Sequence, residues 1–284
     1  MKLSSGLRPC LIRKKSRFAK DPSVPQEKQK EWAREWEDFK YKPEELSFLF
    51  SEWIYPNRLE HFRGLRVLDA GCGHGHMARL VAPLAREVVG LDLNTVDIAK
   101  HETEGLPNVR IVEGDVAEAR FPEPFDCAYC IGVIHHTDDP DISFENLKKN
   151  VRPGGRVIVW AYSWEGNFLN RALLEPAKRA FLRRWPHSLL RALAWILTAA
   201  LYPMIWTIYL LPLRPILPFY DYFANFRRLS FNHNFLNVFD KLNAPRTHFI
   251  SREQIARWFN DADFSDVHIS SYKGVSWRGS GTRR

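Results

Sequence analysis

Cysteine is scarce, with four residues in 284. A secreted scaffold of this size held by disulfides would carry far more, so the fold must rest on an apolar core. Cys127 and Cys130 form a C-x-x-C in "DCAYCIG", but an odd spacing on a strand points the two side chains to opposite faces. That excludes a zinc or redox pair and predicts two buried structural thiols. No metal site is readable anywhere in the chain. Acids are missing from the opening "MKLSSGLRPCLIRKKSRFAK", which holds seven cations. The apolar stretch of a secretory signal is missing there too. An Arg- and Ser-rich, acid-poor start has the composition of an organelle transit segment, and equally that of a disordered basic arm. Glycine is sparse as well, at 15 residues, which makes its clustering informative.

What is present is ordinary for a soluble chain: 45% hydrophobic and 26% charged residues, with 13% aromatics. The length suits one domain with additions and can bury a full core. A net charge of +8 suits an anionic partner: nucleic acid, acidic lipid or a phosphorylated substrate. Trp32, Trp36 and Phe39 recur on one helical face, so residues 26–62 read as helices leading into the main domain. They either pack on its edge or close over a ligand.

From Leu65 onward strands and helices alternate. "LRVLDAG", "EVVGLDL", "NVRIVEGD", "FDCAYCIG" and "GRVIVWAY" read as strands. "HMARLVAPLA", "TVDIAKHET" and "ISFENLKKNV" read as amphipathic helices, with Pro83 ending the first early. Val-, Ile- and Leu-rich runs between such helices predict a doubly wound α/β sheet, parallel and covered on both faces. In these sheets ligands bind beyond the carboxyl ends of the strands, at the topological switch point. Three glycines fall there at alternate positions, Gly71, Gly73 and Gly75. A loop that hugs a ligand favours residues without side chains. Asp92, at the end of the second strand, is placed to accept from both ribose hydroxyls, and Asp115, after the third, from an adenine amino group.

With these segments in order, the chain resembles the class I S-adenosylmethionine (SAM)-dependent methyltransferases over about 65–162 and again over 247–284. "LDAGCGHG" is similar to that family's glycine motif and "VVGLDLN" to its ribose-binding strand end. "EGDVAEARFP", "FDCAYCIGVIHHTDDP" and "LKKNVRPGGRVIV" follow its adenine-binding, fourth-strand and fifth-strand segments. The resemblance implies a Rossmann-like sheet and SAM as cofactor. It places Asp69, Gly71, Gly73 and Gly75 against the cofactor, with the glycines beside its methionine portion. It also implies that Asp92 holds the ribose, that Leu93 flanks the adenine, that Asp115 and Val116 read the adenine edge, and that Ile131 lies near the amino-acid end. His135 and His136, just past the fourth strand, fall over the methyl-transfer site of the family. One of them is expected to contact the acceptor or act as a base, and a structural role is the competing reading. Asp138 and Asp139 read as turn and helix-cap residues. Enzymes of this class that methylate adenine or glutamine amino groups usually carry an Asn/Asp-Pro-Pro-aromatic tetrapeptide after the fourth strand; "GVIHH" stands there instead.

Between the core and "THFISREQIARWF" lies a long insert. "PAKRAFLRRWPHSLLRAL" holds five cations and no acid after its start, and Ala192–Leu213 then runs 22 residues without a charge. Lys178, Arg179, Arg183, Arg184 and Arg191 are expected to flank two short amphipathic pieces separated at Pro186. The apolar run is long enough for a bilayer. The following elements must nevertheless return to the sheet, and Pro203 and Pro212 are expected to break the run. An interfacial or re-entrant element fits, against a soluble lid over the substrate. The aromatic stretch 219–249 supplies candidate substrate contacts: Tyr222, Arg227, His233, Asp240 and His248. Ser251 is expected to cap the next helix, and the "GSGTRR" tail to be mobile.

The organisation expected is a basic arm and helical extension (1–62), a SAM-binding core (63–162), an apolar and aromatic cap (163–246) and a C-terminal completion of the core (247–284). The expected function is methyl transfer to a small hydrophobic or lipid-linked acceptor by a cytoplasmic protein, with contact to an anionic membrane if the insert is interfacial. An RNA methyltransferase and a non-catalytic SAM-fold scaffold are the alternatives. The missing tetrapeptide and the apolar insert oppose the first, and the intact glycines and cofactor acids oppose the second.

Overall fold

A computed structural model describes residues 42–284; the basic arm and the Trp32, Trp36 and Phe39 face lie outside the described residues. The alternating apolar runs form one seven-stranded sheet. Its strands are β1 (Arg66–Ala70), β2 (Glu87–Asp92), β3 (Val109–Glu113), β4 (Phe125–Ile131), β5 (Val151–Tyr162), β6 (Phe264–Tyr272) and β7 (Ser276–Arg283). Their spatial order is β3-β2-β1-β4-β5-β7-β6. The first five are parallel, and β7 runs antiparallel to both β5 and β6. Chain direction across the sheet therefore reverses between β1 and β4, the place where a ligand crevice forms.

Helices α1 (Pro43–Trp53), α2 (His76–Val81), α3 (Val96–Glu102) and α4 (Pro140–Lys149) connect or cover these strands. Two cores result from the alternation of side chains along each strand. Leu68, Val89, Ala128, Cys130 and Val159 face one core with Phe144 and Trp258. Val67, Val88, Cys127, Tyr129 and Ile158 face the other with Phe50 of α1 and Ile54 just after it. Cys127 and Cys130 thus occupy opposite sides of the sheet, and burial pushes the Cys127 thiol up to about 12 and Cys130 higher still. Asp139 caps α4 by accepting from the amides of Asp141 and Ile142.

Two expectations are corrected here. The "GSGTRR" tail is not loose: Ser280 to Arg283 belong to β7, and the Arg284 amide donates to the Asp263 carbonyl at 2.8 Å. Its glycines suit a close approach, since a Cβ on Gly279 would lie 2.5 Å from the Phe259 ring. Pro203 does not break the apolar run either; it sits inside a helix that continues to Ile205.

That helix belongs to the insert, which contains α5 (Glu175–Ala180), a 3₁₀ turn (Leu182–Arg184), α6 (His187–Ile205), α7 (Tyr220–Phe226) and α8 (Phe231–Asn243). Pro186 stands at the N-cap of α6, where a missing amide costs nothing. Leu190 and Ala194 recur at helical spacing and pack on Phe235, Leu236 and Phe239 of α8, giving the insert a small core of its own. The opposite face of α6 is bare: Trp195 and Ile196 are 55% and 59% exposed. By length and composition α6 could cross a membrane. The two ends of the insert, however, meet at the sheet, because Ile250 N donates to Tyr162 O and Trp164 N to Ile250 O, both at 2.9 Å. The chain then enters α9 (Arg252–Trp258), capped by Ser251, whose Oγ accepts from the Gln254 amide at 3.1 Å.

Candidate active site

The loop after β1 turns sharply, and its three glycines all adopt positive φ. Their surroundings differ. A Cβ on Gly71 would lie 2.5 Å from the Val133 methyl groups, and one on Gly75 would lie 2.9 Å from Thr103, so these two are required by the fold itself. Gly73 faces open space, with nothing within 4 Å of its missing Cβ. Of the three, it is the one that leaves an open approach for a ligand.

Asp92 holds this loop to β2. Its Oδ2 accepts from Gly73 N at 3.0 Å, and its Oδ1 accepts from Asn94 N at 2.9 Å and Thr95 N at 3.1 Å. Thr95 Oγ1 donates back to Gly73 O at 2.6 Å. Asp69, at the neighbouring strand end, is buried, and its Oδ2 makes no hydrogen bond within the protein. Burial raises its carboxyl to about 7; the nearby Tyr129 hydroxyl tempers the rise, and the Asp92 charge adds to it. Asp115 Oδ1 accepts from Ala117 N at 2.8 Å. Val116 is buried and Leu93 is 47% exposed. Since β3, β2, β1 and β4 are consecutive in the sheet, Asp115, Asp92, Asp69 and Ile131 line one row of strand ends. The orphaned Asp69 oxygen and the open face of Gly73 fit a nucleoside cofactor with a polar amino-acid end.

His135 and His136 form a 3₁₀ turn just past β4. His135 is fully buried, with neither ring nitrogen hydrogen-bonded, and its ring lies 4.2 Å from that of His136 and 4.3 Å from Tyr162. Burial first, then the neighbouring His136, His248 and Lys241, push its pKa well down, so it is neutral. His136 Nδ1 lies 2.6 Å from the Arg246 carbonyl, a contact that requires the proton on Nδ1. Burial lowers its pKa as well, against the pull of Asp240 and the Arg246 carbonyl.

Tyr162, the ring against His135, also walls a cavity of about 560 Å³ that neither histidine lines. Its walls come from α1 (Leu49, Trp53), the end of β5 (Trp160, Tyr162), the insert before α6, α6 itself, α7 and α8. Of the residues singled out in the insert, Tyr222 lines this cavity. Asp240 stands just behind it, its Oδ2 3.4 Å from the Tyr162 hydroxyl that donates to it. The structure does not bring the other three to the cavity wall. Arg227 Nη1 donates to the carbonyls of Ile205 and Tyr209, each at 3.2 Å, and ties α7 to the end of α6. His233 Nδ1 lies 3.1 Å from Glu45 Oε2, joining α8 to α1. His248 N donates to His135 O at 2.7 Å.

Sequence reasoning missed Lys241, Tyr162, Trp160 and Trp53. Lys241 follows Asp240 directly, but only the packing of α8 decides which of the two faces the cavity. Its Nζ donates to the Tyr222 hydroxyl at 2.9 Å and lies 5.2 Å from the centre of the Tyr162 ring. Lys178, expected at the surface, is buried and paired with Glu175 at 2.7 Å. Arg183 donates to the Pro245 carbonyl at 2.8 Å. Among the described residues no group of three or more His, Cys, Asp or Glu side chains gathers as for a metal ion.

A family model described as a methyltransferase domain matches residues 36–269. The chain is 34% identical over 124 residues to a ubiquinone biosynthesis O-methyltransferase of Paraburkholderia phymatum, covering 42% of this chain and 53% of that protein. It is 32% identical over 125 residues to a tRNA U34 carboxymethyltransferase of Pseudoalteromonas atlantica, covering 41% of this chain and 39% of that one. The chain spans about half the length of the curated relatives it matches. Among solved structures, magnesium protoporphyrin IX methyltransferase from Synechocystis PCC 6803 with bound SAH shares the fold at a TM-score of 0.51. Its identity is 14%, over 91% of this chain and 95% of that one.

Proposed function

This chain belongs to the class I SAM-dependent methyltransferases, and we propose that it methylates a small hydrophobic or lipid-linked acceptor at a membrane surface. One observation carries the reading: the cavity at the end of β5 is walled by leucines and aromatic rings and roofed by an insert whose outer face is apolar. Gly132 N donates to Trp160 O at 3.1 Å, so the cavity wall continues into the backbone that follows Ile131, beside the cofactor row. Among the described residues, sixteen of the eighteen exposed large hydrophobics lie between Trp164 and Ile216, far from an even spread over the surface. A polynucleotide acceptor would call for a basic groove; this cavity has a single cation, Lys241.

Bound SAM would supply an activated methyl group, the electron pair of its carbon–sulfur bond going to sulfur as the acceptor atom takes the methyl and gives up its proton. The chain's own part is to hold the acceptor in line and keep water out. Trp53, Trp160 and Tyr162 shape the floor. His136 keeps its proton on Nδ1 against the Arg246 carbonyl, so a base at this turn would act through Nε2, and its ring lies 6.1 Å from that of Tyr162 in the cavity wall. The test is incubation of the purified protein with methyl-labelled SAM and a total lipid extract, followed by mass spectrometry. A labelled lipid product supports the reading. Label confined to RNA in a parallel incubation would overturn it.

A further inference from the structure

Resting on the apolar-acceptor reading, we propose that the cavity takes an amphiphile with an anionic oxygen, which Lys241 pairs, while the apolar chain leaves past Leu169, Leu173 and Leu197. Among the described residues, Lys241 is the one in the cavity wall that carries a full charge. Its ammonium has three protons to place; one goes to Tyr222 at 2.9 Å, and the Tyr162 and Tyr222 rings face it at 5.2 and 5.1 Å. Among the described residues no carboxylate stands within ion-pair distance of it. The ammonium's remaining protons gain most from a charged acceptor, which an anionic ligand atom supplies and a neutral head group does not.

The surrounding groups keep this lysine charged. Burial works against its ammonium form, but the Tyr162 and Tyr222 hydroxyls, the hydrogen bond to Tyr222 and then Asp240 raise its pKa overall. Asp240 is itself engaged by Tyr162, which donates to it at 3.4 Å. The lysine therefore stays a cation across the working range, set between two phenolic rings that suit a flat or delocalised head group.

The exit follows from three leucines that are at once cavity wall and open surface. Leu169, Leu173 and Leu197 all line the chamber, and they are 41%, 66% and 40% exposed. A ligand chain leaving beside them emerges on the insert, whose other exposed apolar side chains include Phe168, Trp195 and Ile196 at 63%, 55% and 59%. That continuity argues for one occupant, an amphiphile whose head enters the protein while its tail stays in an apolar phase. The head then lies toward Trp160, whose strand pairs with β4 at Ile131.

Calorimetric titration of the full chain with dodecanoate, dodecanol and dodecyltrimethylammonium, each below its micelle concentration, decides the matter. Dodecanoate is expected to bind about tenfold or more tightly than dodecanol, as for a hydrogen bond to a charged group, with the cationic amphiphile weakest. Lys241→Met should abolish that preference and Lys241→Arg should keep it. Leu173→Asp should weaken dodecanoate while leaving hexanoate, too short to reach the exit, unchanged. Tighter binding of 4-octylphenol, a neutral head group at pH 7, than of dodecanoate would also overturn the inference. Equal binding of dodecanoate and dodecanol by the wild-type protein overturns the inference, whatever the variants do. A clear head-group preference without methyl transfer to any lipid would overturn the proposed function and leave this site standing.

Discussion

Gly73 N donates to Asp92 Oδ2 across 3.0 Å, and that bond joins the glycine loop after β1 to the end of β2. Asp92 shapes the loop through three backbone amides, and we propose that the remaining lone pairs of its oxygens accept from the ribose of bound SAM. Asp92→Ala should weaken SAM binding by about 2–3 kcal/mol, the scale of hydrogen bonds to a charged group. Calorimetric titration measures it, and an unchanged affinity would remove the ribose role.

The two histidines should separate by assay. His136→Ala should lower turnover on the order of 10²–10⁴-fold, as for loss of a general base, with SAM affinity preserved. His135 is fully buried between His136 and Tyr162, so His135→Ala should mainly cost stability, roughly 2–4 kcal/mol on the scale of large-to-small core changes. Full turnover in both variants would assign the pair to structure.

Asp69 predicts a pH dependence of stability. Its folded pKa, about 7, lies above the 3.8 of an unperturbed carboxyl, so between these values the folded state binds the extra proton. Its contribution is fully present below about 3.8 and is lost as pH rises through about 7. Asp69→Asn removes the ionisation. Its stability should pull ahead of wild type as pH rises from about 4 to about 7, by on the order of 4 kcal/mol once Asp69 is ionised. A difference that stays flat across this range would contradict the assignment.

Membrane contact should depend on residues that the packing leaves outside. Arg179 and Arg184 are exposed, whereas Lys178 and Arg183 are engaged within the insert. Near an anionic bilayer each free cation contributes about 1 kcal/mol, reduced by salt. Charge reversal at Arg179 and Arg184, or Trp195→Asp on the bare face of α6, should reduce sedimentation with anionic liposomes while leaving SAM affinity unchanged. A wild-type protein that stays in the supernatant at low salt would make the insert a soluble lid.

The α/β order of the core was legible because local rules and tertiary demands agree there. Strands that are buried on both faces must read as near-continuous Val, Ile and Leu runs, and the tight turn after β1 needs positive φ that glycine alone adopts freely. Asp139 and Ser251 were legible as caps for the same local reason. The glycine motif, though, looks uniform in sequence, and only the neighbours brought in from afar distinguish its members: Val133 against Gly71, Thr103 against Gly75, and nothing against Gly73. The tail "GSGTRR" carried no strand pattern of its own. It became strand because β5, β6 and the Phe259 ring offer partners that no local reading contains.

In the insert the balance shifts further toward tertiary structure. Composition alone determined that it is helical, apolar and basic at its start. Which cation meets solvent, which meets Glu175 and which meets the cavity depends on how α5, α6 and α8 rotate against one another. That rotation is set by Leu190 and Ala194 packing on Phe235 and Phe239, contacts some forty residues apart in the chain. Asp240 and Lys241 show the result: on adjacent positions of one helix, a turn of about 100° per residue sends the carboxylate behind the wall and the ammonium into the chamber.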